Sequence, residues 1–259
     1  MPIKAANIRP ITDELPVDAQ FVKDTFLFGV NLNDDNGNEL PDAAINFYIA
    51  SAVAWLEREL GIYINPVEIT DERHDYYVRD YESYAFLKAF HYPIREVTKV
   101  AMRFPLSSNE VVFDPSWYRA ESISGQINLI PEAGSLSTLM IGNGGSFLPL
   151  SYAGRGYMPH VMSIDYKAGF EEGEIPEDIL NLIGMKASLG PLNIAGDLIA
   201  GAGIASKSIS LDGLSESVST TSSATNAGYG ARIIQYEKQI KEAISLLRRS
   251  YKGIEFVVA

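Results

Sequence analysis

Three histidines, 33 acidic side chains and one glycine-dense run are what this 259-residue chain offers for chemistry. The run is Gly201-Ala-Gly203-Ile-Ala-Ser206, within "AGDLIAGAGIASKSISLDGLSESVSTTSSATNAGYGARI". A dinucleotide loop needs a strand, then G-x-G-x-x-G/A opening a helix, then an acidic residue about 20 positions on. Here Ser206 stands at the last small position, and the residues after it are β-branched and turn-forming, a poor helix. Lys207-Ser208 lacks the preceding glycine of a P-loop. The stretch reads instead as a strand, a turn at Asp212-Gly213 and a second strand. His74, His91 and His160 lie far apart, each beside aromatics or proline, and none forms H-E-x-x-H or another metal-spaced pair. Structural roles are expected of all three. No G-x-S-x-G occurs, and "GNGGS" carries Gly where that motif wants Ser. With carboxylates so plentiful, the sequence singles out no acid–base pair.

The absence of cysteine removes disulfides, thiol catalysis and cysteine-held metals together. A formal net charge of −12 argues against nucleic acid as the principal ligand, because a duplex is gripped by clustered Lys and Arg. It does not prevent DNA from passing nearby, since like charge prevents sticking. The start "MPIKAANIRPITDELPVDAQ" has no apolar core of a signal peptide. The uncharged run "AGSLSTLMIGNGGSFLPLSYAG" is too rich in Gly, Ser, Asn and Pro for a membrane span. A soluble protein is expected, with enough apolar residues for a large core.

The elements follow from periodicity. Residues 1–40 read as an extended, turn-rich arm with a turn at Asn36-Gly37; counting an EF-hand back from Gly37 places Leu32 at the first ligand position, so the acidic cluster is a solvated loop. A helix is predicted over 42–60, with Pro41 and Asp42 at its start, Gly61 at its stop, and a buried stripe of Ile45, Ile49, Ala52, Leu56 and Leu60. Tyr48 and Trp55 flank that stripe at the core's edge. Residues 62–169 read as a small antiparallel β unit. "YPIREVTKVAMRF" alternates through Thr98, Val100, Met102 and Phe104 behind Pro93, a residue suited to opening an edge strand. Ile127 and Leu129 face one way after a turn at Ser124-Gly125, and Met162, Ile164, Tyr166 and Ala168 alternate in "VMSIDYKAGF". "ERHDYYVRDYESYAF" reads as a Tyr- and Arg-rich subunit interface, since its acids cancel the field a single-strand-binding surface needs.

Helix returns over 176–200, interrupted at Gly190-Pro191, and again over 229–252, where Ile233, Ile240, Ile244, Leu247 and Tyr251 share one side. Arg232, Lys238, Lys241, Arg248, Arg249 and Lys252 make this last helix locally basic, suited to an acidic partner, to DNA, or to a solvated face. A short apolar tail, "IEFVVA", is left over. The fold class is α+β: a helical bundle core of these three helices with the β unit inserted, in one domain comprising the arm 1–40, the insertion 62–169, and a C-terminal helix plus tail at 226–259. No cofactor or metal is expected.

The succession "PDAAINFYIASAVAWLERELGIYI", "YPIREVTKV", "WYRAESISGQINLIP" and "SIDYKAGFEEGEIPEDILNLIG" resembles the head–tail connector (adaptor, or head-completion) proteins of tailed bacteriophages. In that pattern an acidic-start helix precedes a Pro-led strand, a G-x-I-x-L strand and a Y-x-A-G-[FY] turn into a helix beginning I-P-x-x-I. Here the last pieces are Tyr166, Ala168, Gly169, Phe170, Ile175, Pro176 and Ile179, and the match covers about residues 40–190. The resemblance implies a non-enzymatic virion protein of the neck, made in the host cytoplasm, ringed as a homo-oligomer (a dodecamer in the usual case) beneath the portal. Its partners would be the portal protein and a tail or stopper protein, with genomic DNA passing through the channel and no membrane. Members are often shorter, so Leu192–Ala259 departs from the pattern. By analogy its C-terminal part meets the portal or a sister subunit through Tyr229, Ile233, Ile240, Leu247, Tyr251 and Phe256. Two other readings stay open: another virion part, such as a tail terminator or decoration protein, and a hydrolase whose site joins a distant His to carboxylates.

Overall fold

The computed structural model describes residues 6–34, 36–77, 85–103, 110–130, 156–200, 206–211, 214–219 and 229–251. The fold is mixed α+β, and the chain divides into two compact units: residues 1–13 with 61–171, and residues 14–60 with 172–259.

The first unit is built from strands β1 (Asn7–Pro10), β2 (Val67–Tyr77), β3 (Ala85–Lys88), β4 (Ile94–Arg103), β5 (Glu110–Val112), β6 (Tyr118–Glu121), β7 (Gln126–Leu129) and β8 (Tyr157–Ala168). They form a five-stranded antiparallel sheet in the order β1-β2-β8-β4-β5 and a three-stranded one in the order β3-β7-β6. Two antiparallel sheets therefore make up the β unit expected over 62–169. Their inner faces bury Ile69, Val100, Met102, Ile127, Leu129, Ile164 and Tyr166 in one cluster, which Trp117 joins from the short 3-10 turn before β6. Each large apolar side chain so buried contributes about 1.5–3 kcal/mol.

The expected alternation holds in β7; in β8 Met162, Ile164, Tyr166 and Ala168 are buried as expected but so are Val161 and Ser163, and β4 departs further. Thr98 is exposed, because β4 carries an extra residue between Val97, opposite Tyr166, and Lys99, opposite Asp165. Beyond this bulge Val100 and Met102 are buried as expected, and so is Ala101 between them. A bulge re-aims the side chains that follow it. Phe104 lies outside the described residues. Pro93, joined to Tyr92 by a cis peptide, precedes a strand that pairs with β8 on one side and with β5 only over Ala101–Arg103. Elsewhere its open edge is closed by single bonds: Ile94 N–H donates to Ser122 O at 2.9 Å, Ser122 Oγ donates to Ile94 O, and Val100 N–H donates to Tyr118 Oη.

The second unit holds helices α1 (Ala19–Thr25), α2 (Asp42–Leu60), α3 (Glu177–Ala200) and α4 (Gly230–Tyr251), and a hairpin of β9 (Ser206–Leu211) and β10 (Leu214–Ser219). Helices α2, α3 and α4 pack on one another, and α1 packs on α2 and α3. The predicted stripe of α2 is buried throughout, joined by Val53. Tyr48 and Trp55 are half-buried: the Tyr48 ring fills the space beside Gly190, where a Cβ would sit 2.3 Å from it, and Lys186 Nζ lies 4.8 Å over the Trp55 ring.

Two expectations are corrected here. The arm is not extended throughout: α1 forms at Ala19, capped by the Asp18 carboxylate, which accepts from Phe21 N–H at 2.6 Å, and it is held by buried Ala19 and Val22. And α3 is not interrupted at Gly190-Pro191; it runs on to Ala200. Proline removes one helix hydrogen bond, while Leu182, Ile183, Leu192 and Ala195, buried on both sides of it, keep the turns together. The Asn36-Gly37 turn is as read. Gly37 has φ +82°, and Asp34 Oδ1 accepts the amides of Asn36 and Asn38 at 2.9 and 2.8 Å.

Candidate functional site

The residues that could do chemistry converge in one place, inside the first unit, and a break in the period-2 pattern of β2 puts them there. Val67 and Ile69 face the core; two residues later the parity flips, so that Glu72, His74 and Tyr76 point inward instead. The flip is a bulge. Thr70 and Asp71 lie between Ile69, opposite Tyr166, and Glu72, opposite Ile164. Asp71 takes φ +55°, a conformation Asp tolerates better than most residues. Its amide donates to Asp165 Oδ1 at 2.7 Å, and its carboxylate holds Ser163 Oγ at 2.9 Å and Arg73 Nε at 2.7 Å.

The consequence is a fully buried carboxylate. Glu72 Oε1 meets His74 Nε2 at 2.7 Å and accepts the Phe90 amide at 3.0 Å; Oε2 accepts the Tyr166 hydroxyl at 2.6 Å. With His74 donating, both oxygens are engaged, as a buried charge requires. Burial, and then the Glu72 charge, push the Tyr166 phenol far above its usual range, which keeps it a donor. Its oxygen in turn accepts the His91 amide at 3.1 Å. The His74 ring stacks on Phe90 at 4.5 Å, and the His91 ring meets Tyr63 edge-on at 5.2 Å. His160, by contrast, sits at a second β2–β8 irregularity with φ +53°, its amide donating to Asp75 Oδ1 at 2.9 Å.

Two of the three histidines are thus gathered on one acid, which the sequence did not reveal. The only local signal was Glu72 and His74 at i, i+2, which share a face of any strand. Chemically the cluster resembles acid–base machinery, but Glu72 has no exposed surface and spends its acceptors on the protein's own donors. Its evident work is to tie β2, β8 and the Phe90–Pro93 segment together. Among the described residues no group of three or more His, Asp or Glu is placed to hold a metal ion.

His91 makes the cluster sensitive to pH. Burial holds its imidazole below the ordinary value of about 6.5, opposed in part by Glu72, whose Oε2 lies 3.9 Å from His91 Nε2. The unfolded chain therefore takes up this proton more readily than the folded one. The contribution is fully present above about pH 6.5 and is lost as the pH falls through the depressed folded-state value. Urea midpoints measured from pH 7.5 to 5 should decline more steeply for the native chain than for His91→Gln; parallel curves would show that this histidine titrates as in an unfolded chain.

Of the Tyr- and Arg-rich stretch read as a subunit interface, Glu72–Tyr77 belong to β2 and Ala85-Phe86 to β3. Among Glu72–Tyr77, Arg73 and Tyr76 are buried in the unit's own packing and Tyr77 is exposed, while Val78–Tyr84, with Arg79, Tyr81 and Tyr84 of the stretch, lie outside the described residues. On α4, Ile233, Ile240 and Leu247 are buried together with Ile244, Tyr229 and Tyr251 are half-buried, and Phe256 lies outside the described residues. Burial, and then the charge of Asp178, raise the Tyr251 phenol. The exposed apolar residues of α4 are Ile234 and Leu246, on a surface shared with Lys238, Lys241, Arg248 and Arg249. Gly201–Ala205 and the Asp212-Gly213 turn lie outside the described residues, and the two strands read on either side of that turn are β9 and β10. No helix among the described residues is long and apolar enough to cross a membrane.

No protein-family model matches the chain, and no curated protein matches it. Among solved structures it is similar to a chain from the virion of a native gene transfer agent (GTA) particle, at 13% identity and a TM-score of 0.46, covering 97% of this chain and 98% of that one. It is also similar to a chain from the neck of an empty GTA particle computed with C6 symmetry (15% identity, TM-score 0.40, 70% and 82% covered). A third is from the neck of a native GTA particle computed with C12 symmetry (14% identity, TM-score 0.38, 70% and 81% covered). At these scores no functional assignment follows from the likeness.

Proposed function

We propose that the chain is a structural virion protein of a phage-like particle, a head–tail connector that rings the DNA channel beneath the portal and offers the tail or stopper its seat. The observation that carries this reading is the ordered composite from α2 to the start of α3. Its most specific piece, Tyr166-Lys-Ala168-Gly169-Phe170, is bound up with the packing of the first unit: Tyr166 with Glu72, Ala168 buried opposite Val67, and Gly169 against Asn65. The acidic balance suits a ring that must not grip the DNA passing through it. Assembly as a closed homo-oligomer, with a dodecamer as the expected count, follows from the same reading. So does assembly in the host cytoplasm. The C-terminal region from Tyr229 to Phe256 is proposed to face the portal or a sister subunit. Because Ile233, Ile240 and Leu247 are buried against the unit's own helices, that contact falls to the exposed side of α4 and to the residues after it.

Electron microscopy of particles carrying a tagged copy tests this directly. Ring density at the neck, between portal and tail, is the expected result. Density at the capsid lattice or the distal tail would replace the connector with a decoration or terminator protein. Substrate turnover abolished by His74→Ala or His91→Ala would replace it with a hydrolase.

A further inference from the structure

Within the helical unit, α2, α3 and α4 leave an open cleft of about 410 Å³. Its floor is apolar: Trp55, Leu189, Ile240 and Ile244. Its charged rim holds three cations, Lys186, Lys241 and Arg248, against two acids, Glu59 and Glu237. Arg248 is tied to Glu59, but Lys241 has no carboxylate partner among the described residues, and Lys186 rests over the Trp55 ring. An apolar slot whose rim carries one cation more than its acids suits an extended segment with large apolar side chains and a carboxylate. In a chain of net charge −12, a slot with an excess of cations is locally out of character.

One segment of the sequence has this composition: Ile254-Glu255-Phe256-Val257-Val258, three positions beyond the last residue of α4. The lengths agree as well. The cleft follows α4 from Glu237 to Arg248, about 16 Å of helix, and five extended residues span about 17 Å. We propose that the cleft receives Ile254–Val258 of a neighbouring copy, apolar side chains on the Trp55 floor and Glu255 toward Lys186 and Lys241. Entry into the chain's own cleft would demand a full reversal within Lys252-Gly253, which a neighbour's tail avoids. One copy's tail in the next copy's cleft is a heterologous contact, the kind that repeats head to tail and closes into rings. The inference builds on the proposed assembly but fails separately from it, since density at the neck would stand even if another surface joined the copies.

The test uses a chain truncated after Gly253 and a fluorescein-labelled peptide of Lys252–Ala259. Saturable binding by anisotropy is expected, weakened about tenfold or more by Lys241→Glu and kept by Lys241→Arg. In sedimentation velocity the full chain should associate with rising concentration, and truncation should abolish this while leaving the circular dichroism unchanged. Absence of peptide binding up to about 1 mM would overturn the proposal. So would peptide binding alongside a full chain that stays monomeric, which would put the tail in its own cleft.

Discussion

Gly169→Ala lowers the stability of the chain by about 3–5 kcal/mol in urea unfolding, among the largest effects a single methyl group can have. Two costs add. Gly169 has φ +98°, where a Cβ-bearing residue loses about 1–2 kcal/mol. The larger cost is crowding by atoms that cannot swing away: an added Cβ would sit 2.3 Å from Asn65 O and 2.9 Å from Pro66 Cα, both main chain. Relieving that overlap moves the backbone and endangers two bonds at the same corner, Gly169 N–H to Pro93 O at 2.9 Å and Phe170 N–H to Ile64 O at 3.0 Å. Each is worth about 1 kcal/mol. Gly173→Ala is the control. Its φ of +78° is also left-handed, yet nothing stands within 4 Å of the added carbon, so it should lose only about 1–2 kcal/mol. Equal losses at the two positions would refute the crowding argument. They would also make the glycine of the Tyr166–Phe170 motif a matter of turn preference alone.

What the sequence disclosed, and what it hid, follows from the range of the forces involved. Helix α2 was legible because Pro41, Asp42, Gly61 and a five-residue stripe agree locally, and β8 because four alternating apolar residues do. The seven residues of α1 make too few turns for a period to show, and the Asp18 cap and contacts with α2 and α3 hold them. A proline inside α3 reads as a break in any window, while the packing that overrides it comes from other helices. The stripe of α4 was legible as a stripe, but periodicity cannot say whether a buried face meets its own chain or another. In β2 the pattern was misleading rather than faint, because the bulge at Thr70-Asp71 exchanges inside for outside halfway along. Tyr166 is 94 residues from Glu72, and nothing short of the pairing of β2 with β8 brings them together.

That pairing sets the second large effect. Glu72→Ala should cost about 3–5 kcal/mol at pH 7, because it strips the acceptor from three donors at once and leaves a void in a packed interior. The donors are the Phe90 amide, the Tyr166 hydroxyl and His74 Nε2, and the burial that engaged them with Glu72 leaves them poorly placed to find water. Glu72→Gln separates the loss of the acceptors from the loss of the charge. An amide can keep its oxygen on Phe90 N–H and His74, and turn its nitrogen toward Tyr166, whose hydroxyl is both donor and acceptor. It should therefore recover more than half of the loss. An exposed carboxylate sets the scale: Glu96, paired with Lys167 at 2.8 Å in solvent, should cost no more than about 1 kcal/mol when changed to Ala. If Glu72→Ala were as mild as Glu96→Ala, the network would be an incidental arrangement and the bulge in β2 would need another cause. If Glu72→Gln were as severe as Glu72→Ala, the negative charge itself would be what the cluster requires.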